Sequence, residues 1–226
     1  MSSYHNQGQT SQKRSLCPCA VYYQAEPDPE LAHRLGLAGR FNVMFAGNMG
    51  EAQGLETVIE AARLLQDDSQ IQFVLVGDGV ALPRLRRLAE QESLANVRFL
   101  GRYPAHEMPR LYALADVLLV HLKDDPLFRI TIPHKTLAYL GSGKPILAAV
   151  AGDTADLIES VGAGVTCPPE NAPALAAAVH ALQATSAEQR QAMGARGALA
   201  AQTRYNRDLL TGQIEMVLRQ AAFGRA

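Results

Sequence analysis

Three loops of this sequence carry the residue types that grip an anion. The first is Gly47-Asn48-Met49-Gly50-Glu51-Ala52-Gln53-Gly54, set directly between an apolar run and an amphipathic stretch. Glycines let the backbone approach a ligand closely, and the N–H groups at a helix start attract phosphate. The spacing is not G-x-G-x-x-G, so the dinucleotide fingerprint fails, and a purely structural tight turn remains an alternative. The second is Val76-Gly77-Asp78-Gly79. Here Asp78 either caps the next helix or belongs to a backbone that floors a ligand cleft. The third runs from Phe128 through Arg129, Thr131, Ile132, Pro133 and Lys135 to Ile146. Its helix starts after Pro133, with Thr131 as a cap and Lys135 in the first turn. A cation there opposes the helix dipole, a placement that makes sense where an anion is to bind; the bland alternative is a solvent-facing lysine.

Other chemistries find little support. His121 and His134 are single histidines with no nucleophile or orienting carboxylate at recognisable spacing, so structural or polar-contact roles suit them better. There is no Gly-x-Ser-x-Gly elbow, no P-loop and no metal-ligand cluster, and no residue is assigned to catalysis. Cys17 and Cys19 stand too close for an ordinary bridge and Cys167 is alone, so the three cysteines read as reduced thiols rather than a disulfide or zinc framework.

The elements that must position these loops form a regular series. Apolar runs at Phe41–Ala46, Phe73–Val76, Val97–Leu100, Asp116–Val120, Pro145–Ala149 and Gly164–Thr166 read as strands, and helical patterns lie between them. Strands that are continuously apolar are buried on both faces, which predicts an α/β fold with a doubly wound, parallel, six-stranded Rossmann-like sheet. Ala172 to about Ala222 reads as almost wholly helical. Residues 1–27 read as a polar extension or linker and 28–226 as the domain proper, with 28–40, including a short helix from Glu30 to Leu35, as a lead-in.

Composition narrows the partners. The chain has 226 residues, is 48% hydrophobic and carries a net charge of -1. It is long enough for one substantial core, and it gives no electrostatic argument for nucleic acid or an anionic membrane. No run of about 18 apolar residues predicts a membrane span, and the polar N-terminus lacks a signal-peptide pattern. The expected compartment is the cytoplasm, with the inner membrane reached only through a partner.

Taken in order, five motifs carry a resemblance. They are Phe45-Ala46-Gly47-Asn48-Met49-Gly50 with Gln53-Gly54-Leu55; Val76-Gly77-Asp78-Gly79; Val97-Arg98-Phe99-Leu100-Gly101; Leu111 to Val117; and Ile132-Pro133-x-Lys135 leading to Tyr139-Leu140-x-Ser142-Gly143-Lys144-Pro145-Ile146-Leu147. Over residues 28 to 220 the chain resembles the C-terminal, donor-binding domain of family 4 (group 1) retaining GT-B glycosyltransferases, in particular the WbuB-like subgroup of surface-polysaccharide assembly. The resemblance implies a nucleoside-diphosphate sugar donor, with UDP favoured by the subgroup, retention of anomeric configuration and no metal. It implies that Gly47 to Gly54 face the diphosphate, that Phe99 to Arg102 (with Gly101) border the base, and that Phe128 to Lys135 hold sugar and phosphates.

The sequence departs from that family at informative places. Asn48 and Gln53 stand where basic residues are usual, and Ile130 and Ala138 replace the paired glutamates, leaving the ribose contact without its usual carboxylate. Lys135 is expected to supply most of the charge for the diphosphate, with Lys123, Arg102 and Arg129 as further candidates. The sequence opens where the second half of such an enzyme opens, so the expectation is a donor-binding half that lacks the acceptor half and transfers poorly alone. A separate acceptor-domain chain or self-association would cover Leu209, Ile214, Val217 and Leu218 of the last helix. The competing readings are a degenerate, non-catalytic nucleotide-binding or assembly module and, disfavoured by loop spacing, an NAD enzyme.

Overall fold

The computed structural model describes residues 24–223. Within them the six strands β1 (Phe41–Ala46), β2 (Ile71–Val76), β3 (Val97–Gly101), β4 (Val117–His121), β5 (Ile146–Ala149) and β6 (Gly164–Cys167) form one sheet in the order β3-β2-β1-β4-β5-β6. Every pairing is parallel. This is the doubly wound order in which chain direction across the sheet reverses between β1 and β4. The continuous apolarity of the central strands has the expected cause: all residues of β1, β2, β4 and β5 are buried, whereas the edge strands β3 and β6 are partly exposed.

Alternation along each strand sends side chains into two cores, one on each face. Val43, Phe45, Phe73, Leu75, Val117 and Leu119 pack on one face, against residues of α2 (Glu56–Leu64), α3 (Leu82–Gln91) and α8 (Ala172–Ala184). Met44, Ala46, Val74, Val76, Leu118 and Val120 pack on the other. That face is covered by α1 (Pro29–Leu35), α4 (Met108–Ala113), α6 (His134–Ser142) and α7 (Asp153–Val161). A four-residue helix, α5 (Pro126–Arg129), interrupts the loop ahead of α6, and α9 (Ala187–Thr203) and α10 (Arg207–Phe223) follow.

Residues 28–40 pack onto the sheet's second core. Asp28 caps α1 through the Leu31 N–H at 2.9 Å, and Leu31 and Leu37 are buried in the second core. An apolar residue at every third or fourth position within seven residues was too short a pattern to reveal this. The proposed extension 1–27, with Cys17 and Cys19, lies almost wholly outside the described residues. On α10, Ile214, Val217 and Leu218 are exposed, and the side chain of Leu209 lies outside the described set. No described helix is long and apolar enough to cross a membrane.

Candidate functional site

The carboxyl edge of the sheet opens where β1 and β4 part. Their ladder pairs Val43 with Val117 and Met44 with Leu118. The backbone of Ala46, at the end of β1, takes a side chain as its partner. The Tyr139 hydroxyl accepts the Ala46 N–H at 2.8 Å and donates to the Ala46 carbonyl at 2.9 Å. Tyr139 is fully buried and meets the Tyr112 ring edge-on, 5.3 Å between centroids. This clamp fixes α6 against β1. Residues four apart share a helix face, so clamping Tyr139 carries Lys135, one turn earlier, over the strand ends.

On the other side of β1 the two glycine loops lock together. Gly47 N–H donates to the Val76 carbonyl at 2.9 Å, and Met49 N–H to the Asp78 carbonyl at 2.8 Å. A Cβ on Gly77 would lie 1.9 Å from the Gly47 carbonyl oxygen, and Gly77 has φ +131°, so this closeness demands glycine. The loops and α6 bound a cleft of about 1010 Å³, of a size suited to a small-molecule ligand.

Lys135 is the unusual residue of the cleft. Its Nζ is buried without a hydrogen-bond partner and sits 3.7 Å from the centroid of the Phe45 ring. Burial pulls its pKa down from 10.5 to about 7. The ring face offers some cation–π attraction, but among the described ion pairs none includes Lys135. Nearby, His121 at the end of β4 is fully buried. Its Nδ1 lies 2.6 Å from the Gln53 carbonyl, which makes Nδ1 the donor and ties the first glycine loop to β4. Its Nε2 has no partner, and burial, the leading cause, lowers its pKa.

Of the residues expected from sequence, Gly47, Asn48, Gly77, Asp78, Gly79, Arg102 and Lys135 line this cleft. The others take supporting positions around it. The Met49 side chain is fully buried in the core. Gly50 N–H is held by the Gln53 side chain at 2.9 Å, and Gly54 turns with φ +53° against His121 and Lys123. Gly101 accepts the Gly77 N–H through its carbonyl at 2.7 Å. Lys123 Nζ lies 3.9 Å from Glu51, and Arg129 is paired with Asp124 at 2.8 Å. Ile132 and Pro133 lead into α6.

The cap expected of Thr131 fails, and the capping alternative for Asp78 is not taken. Pro133 is the N-cap of α6, and the Thr131 hydroxyl instead donates to the Leu127 carbonyl at 2.6 Å, because α5 places that carbonyl four residues back. Asp78 caps nothing on α3, whose N-cap is Ala81; its carboxylate accepts the Gly79 N–H at 2.7 Å.

Sequence reasoning passed over the opposite wall. Tyr103, Pro104, Ala105, Met108 and Tyr112 complete the cleft, and His134 and Ala138 lie on the α6 side. Tyr103 and Pro104 follow β3 directly, so the rule that ligands sit at carboxyl ends of strands would have found them. Met108 lies outside the five motifs and Tyr112 within the fourth, and nothing local marks either side chain as cleft-lining.

Comparison with known proteins identifies the family and the fold. The family described as glycosyl transferases group 1 matches residues 40–185. Among curated proteins, a probable glycosyltransferase WbjE of Pseudomonas aeruginosa is 31% identical over 140 residues, covering 61% of this chain and 34% of that protein. The putative colanic acid biosynthesis glycosyl transferase WcaI of Escherichia coli is 34% identical over the same length and shares. The chain thus spans about a third of the length of these relatives. Among solved structures, HepE of Anabaena in complex with UDP-glucose superposes with a TM-score of 0.77 at 21% identity, over 89% of this chain and 55% of that one. The C-terminal domain of the group 1 family protein LpcC from Francisella tularensis gives 0.68 at 19% identity, over 83% and 97%. At such identities the superpositions speak for the fold, which is that of one half of a GT-B enzyme. The family match spans more than half of the sequence, and the chain belongs to the group 1 glycosyl transferases.

Proposed function

We propose that this domain holds a nucleoside-diphosphate sugar, UDP-linked, as donor for retaining sugar transfer in surface-polysaccharide assembly. The observation that carries the reading is Lys135: a buried, unpartnered amine in the first turn of α6, on a cleft floored by glycine backbone. The helix start is itself electropositive, and its first N–H groups have no intrahelical acceptor. A diphosphate satisfies all of these groups at once. The same arrangement stabilises the negative charge that develops on a departing diphosphate, which is the main electrostatic demand of such a transfer. Gly47, Asn48, Gly77, Asp78 and Gly79 are assigned to the phosphate and sugar end, and Arg102, with the Tyr103–Ala105 wall, to the base end. Acceptor binding is assigned to a second domain, on this polypeptide or another, and the exposed Ile214, Val217 and Leu218 of α10 suit burial against it.

A specific observation favours a second reading, a nucleotide-binding module without transfer. Ala138 lines the cleft where the family resemblance leads one to expect a carboxylate. A thermal-shift panel of UDP, GDP, ADP and NAD separates the readings, since a ligand of the folded state stabilises it by mass action. UDP is expected to raise Tm most. No shift with any nucleotide would sink the donor-site reading, and the largest shift with NAD would replace it with a dinucleotide site.

A further inference from the structure

Lys135 is a cation that the fold leaves without an anion. Its Nζ is buried and unpartnered, lies over Phe45, and comes within 3.0 Å of where a Cβ on Gly47 would stand. The charged groups on the surrounding elements do not compensate it. On the loop after β1, Glu51 is shared by Arg84 and Lys123. On α2, Glu56 is taken by Arg84. After β2, the Asp78 carboxylate accepts the Gly79 N–H, and ahead of α8, Glu170 accepts the Asp124 N–H. The remaining titratable or charged neighbours bring no carboxylate: they are the phenols of Tyr103 and Tyr112 on the cleft wall and of Tyr139 on α6, and the basic groups His121 and Lys123 from β4 and its following loop, His134 from α6, and Arg102 from the loop after β3.

An amine in that setting holds its proton weakly, because the charged form has lost water and gained no counter-charge. A diphosphate beside it supplies the missing charge and makes the ammonium the favoured form. We propose that binding of a nucleoside diphosphate in this cleft carries a proton onto Lys135, so that donor binding and product release are coupled to proton uptake and release at this one amine. The proposal rests on the donor-site reading above and adds its regulation by pH.

The direction follows from linkage. In the free protein Lys135 is half charged near pH 7; in the complex it is charged well above that. Affinity for the diphosphate therefore falls as pH rises above 7, by up to about tenfold per pH unit, and levels off below it.

The test is titration calorimetry with UDP at about pH 8, in buffers such as HEPES and Tris whose ionisation enthalpies differ. The last phosphate proton of UDP, with a pKa near 6, is already gone at that pH. The expected result is uptake of about 0.9 proton per UDP bound by the native protein and about none by Lys135→Arg, which binds UDP with a side chain that stays charged throughout. The shift of the Lys135 ε-carbon in NMR gives a measurement that needs no variant. It is expected to titrate near neutral pH in the free protein and to stop doing so with UDP bound. UDP binding without proton uptake, or with equal uptake in Lys135→Arg, overturns the coupling and leaves the donor site standing. An absence of UDP binding overturns both.

Discussion

Two lysines bracket α6, and the fold treats them in opposite ways. Lys144 follows the C-cap Gly143, at the end of the helix where a cation is favourable. Its Nζ donates to the Ala113 carbonyl at 2.7 Å. Burial lowers its pKa, and Asp116 and Glu26 act against that shift. Asp116 is in turn anchored by the Asn42 N–H at 2.8 Å, so the group of residues ties α4, α6 and the start of β1 together at the amino edge of the sheet. Lys135 sits at the other end, where the dipole opposes it, and burial is the sole cause of its lowered pKa. Buried polar groups in folded proteins are nearly always satisfied. One lysine is satisfied by the protein and the other is not, and perturbed groups of that kind collect at functional sites.

The largest effect that tests this contrast is Lys135→Met. Loss of a charge-assisted contact with the diphosphate is expected to weaken UDP binding by roughly 10- to 100-fold, measured by calorimetry near neutral pH. The fold should not suffer. Between pH 7 and the ordinary lysine value of 10.5, the unfolded chain keeps a proton that the folded free protein has released. Stability contributed by this site therefore rises with pH across that window. The methionine variant should lose that slope and melt at or above the native Tm near pH 7. A variant that bound UDP like the native protein, or that melted much earlier, would reduce Lys135 to a structural residue.

Lys144→Met should show the reverse pattern with a smaller magnitude. It removes one charge-assisted hydrogen bond and the partner of Asp116, at a cost of about 1–2 kcal/mol of stability. It sits across the sheet from the cleft, so UDP affinity should change less than about twofold. Chemical denaturation and a UDP titration check the two halves. If Lys144→Met cost as much affinity as Lys135→Met, the two ends of α6 would not be functionally distinct.

How much of this was legible in the sequence differs by kind of information. The sheet was legible because burial on both faces forces continuous apolar runs such as Phe73–Val76, and the runs at Phe41–Ala46, Phe73–Val76 and Val97–Leu100 each stop at a glycine. That the two glycine loops and Lys135 would meet at one cleft was legible because they combine position, at strand ends and a helix start, with residue type. What was not legible depends on contacts far apart in the chain. Tyr139 stands in the fifth motif with nothing to mark its hydroxyl, which closes both backbone groups of Ala46, 93 positions away. The cap assigned to Thr131 failed because the four-residue α5 offered its hydroxyl a nearer carbonyl, and a helix that short leaves no period to read. The role of α1 was hidden for the same reason. The pairing state of the cations was hidden altogether: Lys123, Arg129 and Lys135 look alike as letters, and only their neighbours tell them apart.

That last distinction gives the smallest expected effect. Arg129 is half-exposed; its Nε and a terminal nitrogen bond the Asp124 carboxylate at 2.9 and 3.0 Å. Lys123 leans toward Glu51. Exposed pairs of this type contribute about 0–1 kcal/mol, and a paired cation that turned to a ligand would leave its carboxylate behind. Neither residue lines the cleft, whereas Lys135 does. Arg129→Ala and Lys123→Ala are therefore expected to shift UDP affinity by less than about threefold, and the salt dependence of binding by little. A tenfold loss in either variant would show that surface cations near the cleft release their partners when the diphosphate arrives. Being unpartnered in the free protein would then no longer single out Lys135, and the contrast between the two ends of α6 would have to rest on position alone.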